Sequence, residues 1–257
     1  MSISSEWKMA KKYYFLETDT YKGEKVVLLT KRNVAKVEAM IAFNSAYNNS
    51  KPKGKNKKST ADLVSKFGKF KATCGTELDE ANRTKYRGLI GKIVASIDRE
   101  NSTHLNADKK GRKVIADRIC NNYKTPNDLI DTLKSKKPGY ELIELLSQPV
   151  PKSKKEPNKG RRNFSFATKF CHYMAFYLFD GKRSQDNFSI YDGIMEKAIR
   201  KHAEQLGVDI PKNMKSFKGH YVEYMKTIDD VRKACKKKNR QNISRNGLDH
   251  LLWYYYK

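Results

Sequence analysis

Acidic residues are scarce in this chain of 257 residues: 28 Asp and Glu stand against 54 Lys and Arg, a formal net charge of +26 at pH 7. An excess of that size is too large for a solubility device and attracts phosphate polymers, with binding driven largely by counterion release. Cysteine is also sparse. Cys74, Cys120, Cys171 and Cys235 are widely spaced and form no CxxC pair, which argues against a structural zinc site and a disulfide framework and for a reducing, cytoplasmic setting. No apolar signal stretch opens the sequence, no run reaches membrane-spanning length, and no internal repeat is present. A membrane partner is therefore not expected.

Apolar residues make up 38% and aromatics 11% of the chain, enough to build a core and to argue against wholesale disorder. The basic residues fall in separate clusters at 51–58, 109–113, 134–137, 152–162 and 236–240. Each alone reads as a solvated loop; spread between apolar segments, they read together as one basic face on a folded body. Like charge opposes self-association at low salt, so a monomer is expected.

The pattern predicts a mainly α fold with a small N-terminal β element. Residues 13–16 (YYFL) and 25–29 (KVVLL) are short β-rich runs around Gly23, a predicted hairpin. Residues 33–47 follow as a helix with Asn33 as N-cap and Val34, Val37, Ile41 and Ala42 on one face, then a basic loop to 59. Further helices are predicted over 78–99, 113–123, 126–134, 140–146, 221–236 and 244–256. Thr125 caps the third, with Pro126 at its first position. The proline-bearing stretch 149–159 reads as a linker. The expected division is an N-terminal segment to residue 60, a helical subdomain over 61–150, and a third part over 151–257.

Residues 161–200 carry the most chemistry: RRNFSFATKFCHYMAFYLFDGKRSQDNFSIYDGIMEKAIR. Asn163 or Ser165 can cap a helix along which Phe166, Phe170, Met174, Tyr177 and Leu178 recur. Its N-terminus, beside Arg161 and Arg162, would suit a phosphate. A charged loop with Lys182 and Arg183 leads to the extended stretch 188–192. Asp192 then opens a second helix over 193–206 with Ile194, Ala198 and Ile199 inward. Aspartate at that position is also an ordinary N-cap.

This segment resembles the core of the helix-hairpin-helix DNA glycosylase superfamily (8-oxoguanine and alkyladenine glycosylase-like), through Ser165-Phe-Ala-Thr-Lys-Phe-Cys-His172 and Phe188-Ser-Ile-Tyr-Asp192. The same strings are similar to uncharacterised prokaryotic proteins linked to defence against phage with modified DNA. The resemblance implies a helix-hairpin-helix glycosylase-like bundle, a double-stranded DNA partner with one nucleotide flipped out, and Asp192 as the catalytic carboxylate. Arg161, Arg162, Asn163, Ser165, Lys182 and Arg183 would be the DNA contacts, and Tyr191, His172, Tyr173 and Trp253 the base pocket. Each of those last four, taken singly, reads more readily as core packing. The family's hairpin carries Gly-x-Gly; the equivalent 162–165 has no glycine, so Arg161, Arg162 and the helix N-terminus would replace it. Bifunctional members place a Schiff-base lysine on the first turn of the helix. The preferred register puts Phe166 there, leaving Lys169 as a phosphate contact in a monofunctional enzyme; a shifted register makes Lys169 the nucleophile.

The implied reaction breaks an N-glycosidic bond and leaves an abasic site. Departure of the base builds oxocarbenium character on the sugar, which a fixed carboxylate stabilises without metal or cofactor. Two alternatives stand beside it. A non-enzymatic DNA- or RNA-binding protein explains the charge equally well. A nuclease fits less well, because the sole Glu-x-Lys is Glu6-Trp-Lys8, with no upstream aspartate to complete a metal site.

Overall fold

In the computed structural model, residues 15–50, 58–75, 77–101, 103, 105, 110–135, 140–151, 160–211 and 213–257 are described, with the side chains of 44–50, 151 and 161 outside the description. The fold is mainly helical, with ten α-helices among the described residues and a small antiparallel hairpin near the start. Two compact units divide the chain. The first takes Met1–Gly54, Asp192–Phe217 and Glu223–Lys257; the second takes Lys55–Tyr191 and Lys218–Val222.

In the first unit, β1 (Thr18–Tyr21) pairs with β2 (Glu24–Val27) across Lys22-Gly23. Both turn residues have positive φ, 49° and 79°, the backbone that matches the twist of a two-residue hairpin. The first strand is thus the polar TDTY. Of the run predicted as a strand at 13–16, Phe15 and Leu16 lie ahead of it in a turn and a bend, and the two tyrosines fall outside the described residues. Buried Val26, Val27, Leu16 and Leu29 supply the hairpin's share of the core.

Asn33 is not an N-cap. Helix α1 (Lys31–Ser50) starts two residues earlier, and its Asn33 is fully buried. The Asn33 side chain accepts from the Glu17 amide (2.9 Å) and donates to the carbonyls of Glu17 (2.8 Å) and Leu28 (2.9 Å). The buried amide satisfies backbone groups flanking the hairpin, which outweighs capping. The inward face of α1 is carried by Val34 and Val37; Ile41, predicted on it, is 37% exposed, and Ala42 is exposed too.

The unit is completed by α8 (Gly193–Leu206), α9 (Tyr221–Asn239) and α10 (Arg245–Tyr256), where α9's first two residues count with the second unit. α10 packs on α1 and α8. A Cβ at Gly247 would lie 2.8 Å from Val34 Cγ1, so α10 approaches α1 closely because it has glycine there. Asp229 of α9 ties α10 down through Arg245 Nε (2.8 Å) and Nη2 (2.5 Å).

The second unit holds α2 (Thr60–Thr73), α3 (Glu80–Asn101), α4 (Gly111–Asn122), α5 (Pro126–Lys134), α6 (Glu141–Ser147) and α7 (Phe164–Leu178). Sequence reasoning did not predict α2. It begins with a reciprocal capping box between Ser59 and Asp62 and buries Leu63, Val64, Phe67 and Phe70. The capping box at Thr125 and Asp128 starts α5 as its Thr-Pro signature predicts.

Helix α7 packs against α2, α3, α5 and α6. Phe166, Ala167, Phe170, Cys171, Met174 and Ala175 are each at most 1% exposed, the burial a helix needs when its sequence is apolar nearly all round. Tyr177, predicted on the inner face, is instead 37% exposed. The start of the predicted linker pairs with the residues just past its end: β3 (Val150–Pro151) runs antiparallel to β4 (Gly160–Arg161). A Cβ at Gly160 would sit 2.0 Å from the Val150 carbonyl oxygen, so only glycine lets the two backbones meet.

Candidate functional site

The segment between α7 and α8 contains a 3-10 turn (Arg183–Asp186), then Asn187 still in helical-region backbone (φ −71°, ψ −25°) and four residues, 188–191, outside any helix or strand. Asn187, Phe188, Ser189, Ile190 and Tyr191 are all at most 9% exposed. Buried backbone must find hydrogen-bond partners, and here side chains of the second unit provide them. The Phe188 carbonyl meets His172 Nδ1 at 2.9 Å. The Tyr221 hydroxyl donates to the Ser189 carbonyl (2.7 Å) and accepts from the Ser189 amide (2.9 Å). The Tyr191 amide donates to Thr168 Oγ1 (3.0 Å), and the Thr168 hydroxyl lies 3.3 Å from the Tyr191 carbonyl. Asn187 adds Nδ2 bonds to the carbonyls of Leu133 (2.9 Å) and Ser135 (3.1 Å). Phe164 packs edge-on against Tyr191 (4.7 Å) and Tyr140 against Tyr221 (4.8 Å).

Asp192 follows directly, the first residue after this clamped stretch and the N-cap of α8. It is half-buried, and its Oδ1 accepts from the amides of Ile194 and Met195, both at 3.0 Å. The helix ends at Gly207 in left-handed backbone, with φ 68°. Its first turns are braced by the chain that returns after it. Glu196 accepts from the Phe217 amide (2.9 Å) and the Ser216 hydroxyl (3.1 Å), and Arg200 donates to the Met214 carbonyl (2.9 Å) while lying 4.5 Å over the Phe217 ring. Ala198 and Ile199 point inward as predicted; Ile194 is only half-buried.

At the head of α7 the stretch matched to the family hairpin is not a hairpin turn. Phe164 and Ser165 already belong to the helix's first turn, and Arg161 belongs to β4. Asn163 occupies the N-cap position but makes no side-chain cap bond, and neither does Ser165 take that role. Asn163 is 8% exposed, and its Nδ2 is buried without a partner. Arg162 is exposed, and its Nη1 passes near Gly219. Ser165 is half-buried.

Lys182 and Arg183 are exposed beyond the other end of α7. A helix of 15 residues separates the two groups, about 22 Å at the usual rise, so they cannot share a phosphate. Lys169, expected as a phosphate contact, is only 7% exposed, an unusual position for a lysine.

The four predicted pocket residues divide by burial. His172 (1% exposed) and Tyr191 (6%) are enclosed, and the His172 ring stacks on Phe176 at 5.8 Å. Tyr173 is half-buried, donates to Asn101 Oδ1 (3.0 Å) and stacks on Tyr177. Trp253 is half-buried in the first unit with the Lys257 ammonium 3.8 Å over its ring. Asp192 and Trp253 belong to the first unit; the other predicted site residues belong to the second.

Thr168 and Tyr221 were missed in the sequence, since a helix-face threonine and a distant tyrosine carry no local signal. Of the basic clusters, Lys236, Lys237 and Lys238 are exposed in the last turn of α9, where they also complement the helix dipole. Of the cluster at 109–113, Lys110 and Lys113 are exposed at the start of α4; most of the clusters at 51–58 and 152–162, and half of 134–137, lie outside the described residues. Among the described residues no three His, Cys, Asp or Glu side chains gather into a metal-binding group, and no helix is long and apolar enough to cross a membrane. The chain has no significant match among family models, curated proteins or solved structures.

Proposed function

We propose that the protein is a DNA glycosylase acting on a damaged or modified base, with Asp192 as its catalytic carboxylate. One observation carries the reading: the side-chain clamp on 187–191, which fixes the backbone immediately before a half-buried aspartate. A cap residue needs only its own helix. A carboxylate that must meet developing positive charge on a sugar needs rigid placement, because electrostatic stabilisation works through preorganisation. The net charge of +26 supports a duplex partner.

In this reading the target nucleotide is flipped from the stack. Asp192 then faces the anomeric carbon as the base departs and orients the attacking water. Arg162 and the α7 N-terminus contact the backbone at one end of the helix, and Lys182 and Arg183 form a separate contact at the other. Arg161 remains a proposed partner of the first set. Tyr173 and Trp253 keep exposed surface for stacking, whereas His172 and Tyr191 serve by holding the aspartate segment. Lys169 separates the two chemistries: an enclosed amine suits a Schiff base better than a surface phosphate contact. Defence against DNA carrying bulky modified bases fits this activity, and the protein would act as a monomer in the compartment that holds DNA.

The test is incubation with duplexes bearing normal, damaged and bulky modified bases, in EDTA, followed by alkali. Strand breaks that appear only after alkali mark abasic sites made by hydrolysis; breaks without alkali implicate Lys169. The second reading, a nucleic-acid-binding protein without catalysis, draws on the two α8 amides that Asp192 already accepts. Tight, salt-sensitive binding with no abasic sites on any substrate would favour it.

A further inference from the structure

One concavity lies wholly inside the second unit. It has a volume of about 490 Å³ and is walled by the start of α3, the last turn of α4 and the connection into α5. From α3 come Arg83 and Arg87, four apart on one helical face, together with the buried Tyr86. From α4 come Cys120 and Asn121, and from the connection Lys124. The floor is apolar, formed by buried Leu78 and Tyr86.

The charges in this recess are one-sided. Among the described residues, Arg83, Arg87 and Lys124 line it with Glu77 as the sole lining carboxylate. Each guanidinium is steadied by a bond to a lining residue: Arg87 Nη2 donates to Asn121 Oδ1 (3.3 Å) and Arg83 Nη2 to the Leu78 carbonyl (3.3 Å), while Arg83 Nη1 also lies 3.5 Å from the exposed Glu80 carboxylate. These bonds occupy at most two of a guanidinium's five N–H donors, and the Arg83–Glu80 pair is solvent-exposed and weak, so donors remain for an anion. Burial pushes the Cys120 thiol up to about 11, so it adds no competing negative charge at neutral pH. The first-turn amides of α5 do not make the site, because Thr125 and its capping box with Asp128 already serve that helix start. A recess of this size falls in the range of small-ligand pockets and is larger than a bare inorganic phosphate fills.

We propose that this recess binds a phosphomonoester of nucleotide size, with Arg83, Arg87 and Lys124 on the phosphate and the sugar and base over Leu78 and Tyr86. Two sources supply that chemistry, a free nucleoside monophosphate and the 5′-phosphate end of a nucleic-acid strand. The recess shares no residue with the Asp192 segment, so the proposal stands whatever that segment does.

Calorimetric titration of the full chain at fixed salt tests the proposal with a nucleoside 5′-monophosphate, the matching nucleoside, inorganic phosphate, and one oligonucleotide with a 5′-phosphate or a 5′-hydroxyl. The monophosphate binds at least ten-fold tighter than the nucleoside or phosphate alone. Arg83→Ala with Arg87→Ala removes that advantage, and so does Asn121→Phe, which fills the recess without changing charge. Lys66→Ala with Lys113→Ala removes the same charge from exposed positions elsewhere in the unit and leaves the advantage intact. A 5′-phosphate effect on the oligonucleotide that vanishes in the arginine variant assigns the site to strand ends; its absence, with monophosphate binding retained, assigns it to free nucleotides. The proposal is overturned if monophosphate and nucleoside bind alike, or if the distant lysine variant loses as much as the arginine variant. Thermal unfolding of each variant, with a midpoint matching the parent, shows that the recess and not the fold was lost.

Discussion

Thr168 and Tyr191 hold each other across 23 residues of sequence: one hydroxyl, on the second turn of α7, takes the Tyr191 amide at 3.0 Å and lies 3.3 Å from its carbonyl. Both groups are buried, so neither can turn to water when the partner is lost. Thr168→Val keeps the shape and deletes the hydroxyl. We expect a loss of about 1–3 kcal/mol in unfolding free energy, the usual cost of stranding a buried donor. Under the proposed function, base excision falls further than DNA affinity. Denaturant unfolding together with binding and excision assays on the same variant checks both parts; excision and affinity falling in parallel would count against the clamp as a positioning device.

His202 gives the first unit a pH dependence. It is 1% exposed, its Nε2 lies 3.0 Å from the Tyr256 hydroxyl, and burial pushes its pKa down to about 4 from 6.5. Because the folded-state value is the lower one, the unfolded chain takes up the proton first as pH falls. Stability is therefore complete above pH 6.5 and drains away between 6.5 and 4, by about 3 kcal/mol in all. Unfolding midpoints measured from pH 7 to pH 4 show this slope in the parent and a flatter one in His202→Gln. Equal slopes would exclude the histidine.

Asp229 works in the opposite direction. Burial alone would raise its pKa, but hydrogen bonds and charge from Arg245, then Arg232, hold it below 3.8. The stability it contributes is present above the unfolded value and lost as pH falls through the folded one, in a window below that of His202. The Asp229→Ala variant leaves two half-buried guanidinium groups without their acceptor and costs about 2 kcal/mol, less than a fully buried pair because solvent screens this one. Chemical denaturation at pH 7 reads the cost directly.

Gly111 sits where the second unit folds tightest. A Cβ there would lie 1.8 Å from the Leu105 carbonyl oxygen, beside the Asp98 carboxylate that binds the Thr103 hydroxyl (2.6 Å), the Leu105 amide (2.9 Å) and Arg112 Nε (2.7 Å). No flexible side chain can yield, only backbone. Gly111→Ala should cost about 2–4 kcal/mol and disturb the Asp98 cluster. Thermal unfolding of that variant, compared with the exposed Gly88→Ala, isolates the close approach.

What the sequence revealed depended on how local the signal was. Thr125-Pro126 and Asp192-Gly193 each announce a helix start within two or three residues, and both helices begin there. Gly23 marked the hairpin turn, but the strand before it is TDTY, too polar to stand out. The start of α2 carried its own capping box at Ser59 and Asp62, hidden behind the lysine tract that precedes it. Asn33 read as a cap because a helix follows it, yet its partners Glu17 and Leu28 come from the hairpin's flanks. The order of α7, charged loop and Asp192 was legible. The clamp by Thr168, His172 and Tyr221 was not, since it joins residues 16 to 32 positions apart.

The Asp192→Asn exchange tests the central claim most directly. Asparagine keeps an oxygen that can cap α8 while removing the negative charge, so the fold and the DNA affinity should stay near those of the parent. On a substrate the parent converts to abasic sites, the account predicts that excision drops by a thousand-fold or more, about 4 kcal/mol of lost transition-state stabilisation. Unchanged excision by the folded, DNA-binding variant would show that the residue at 192 caps a helix and nothing else.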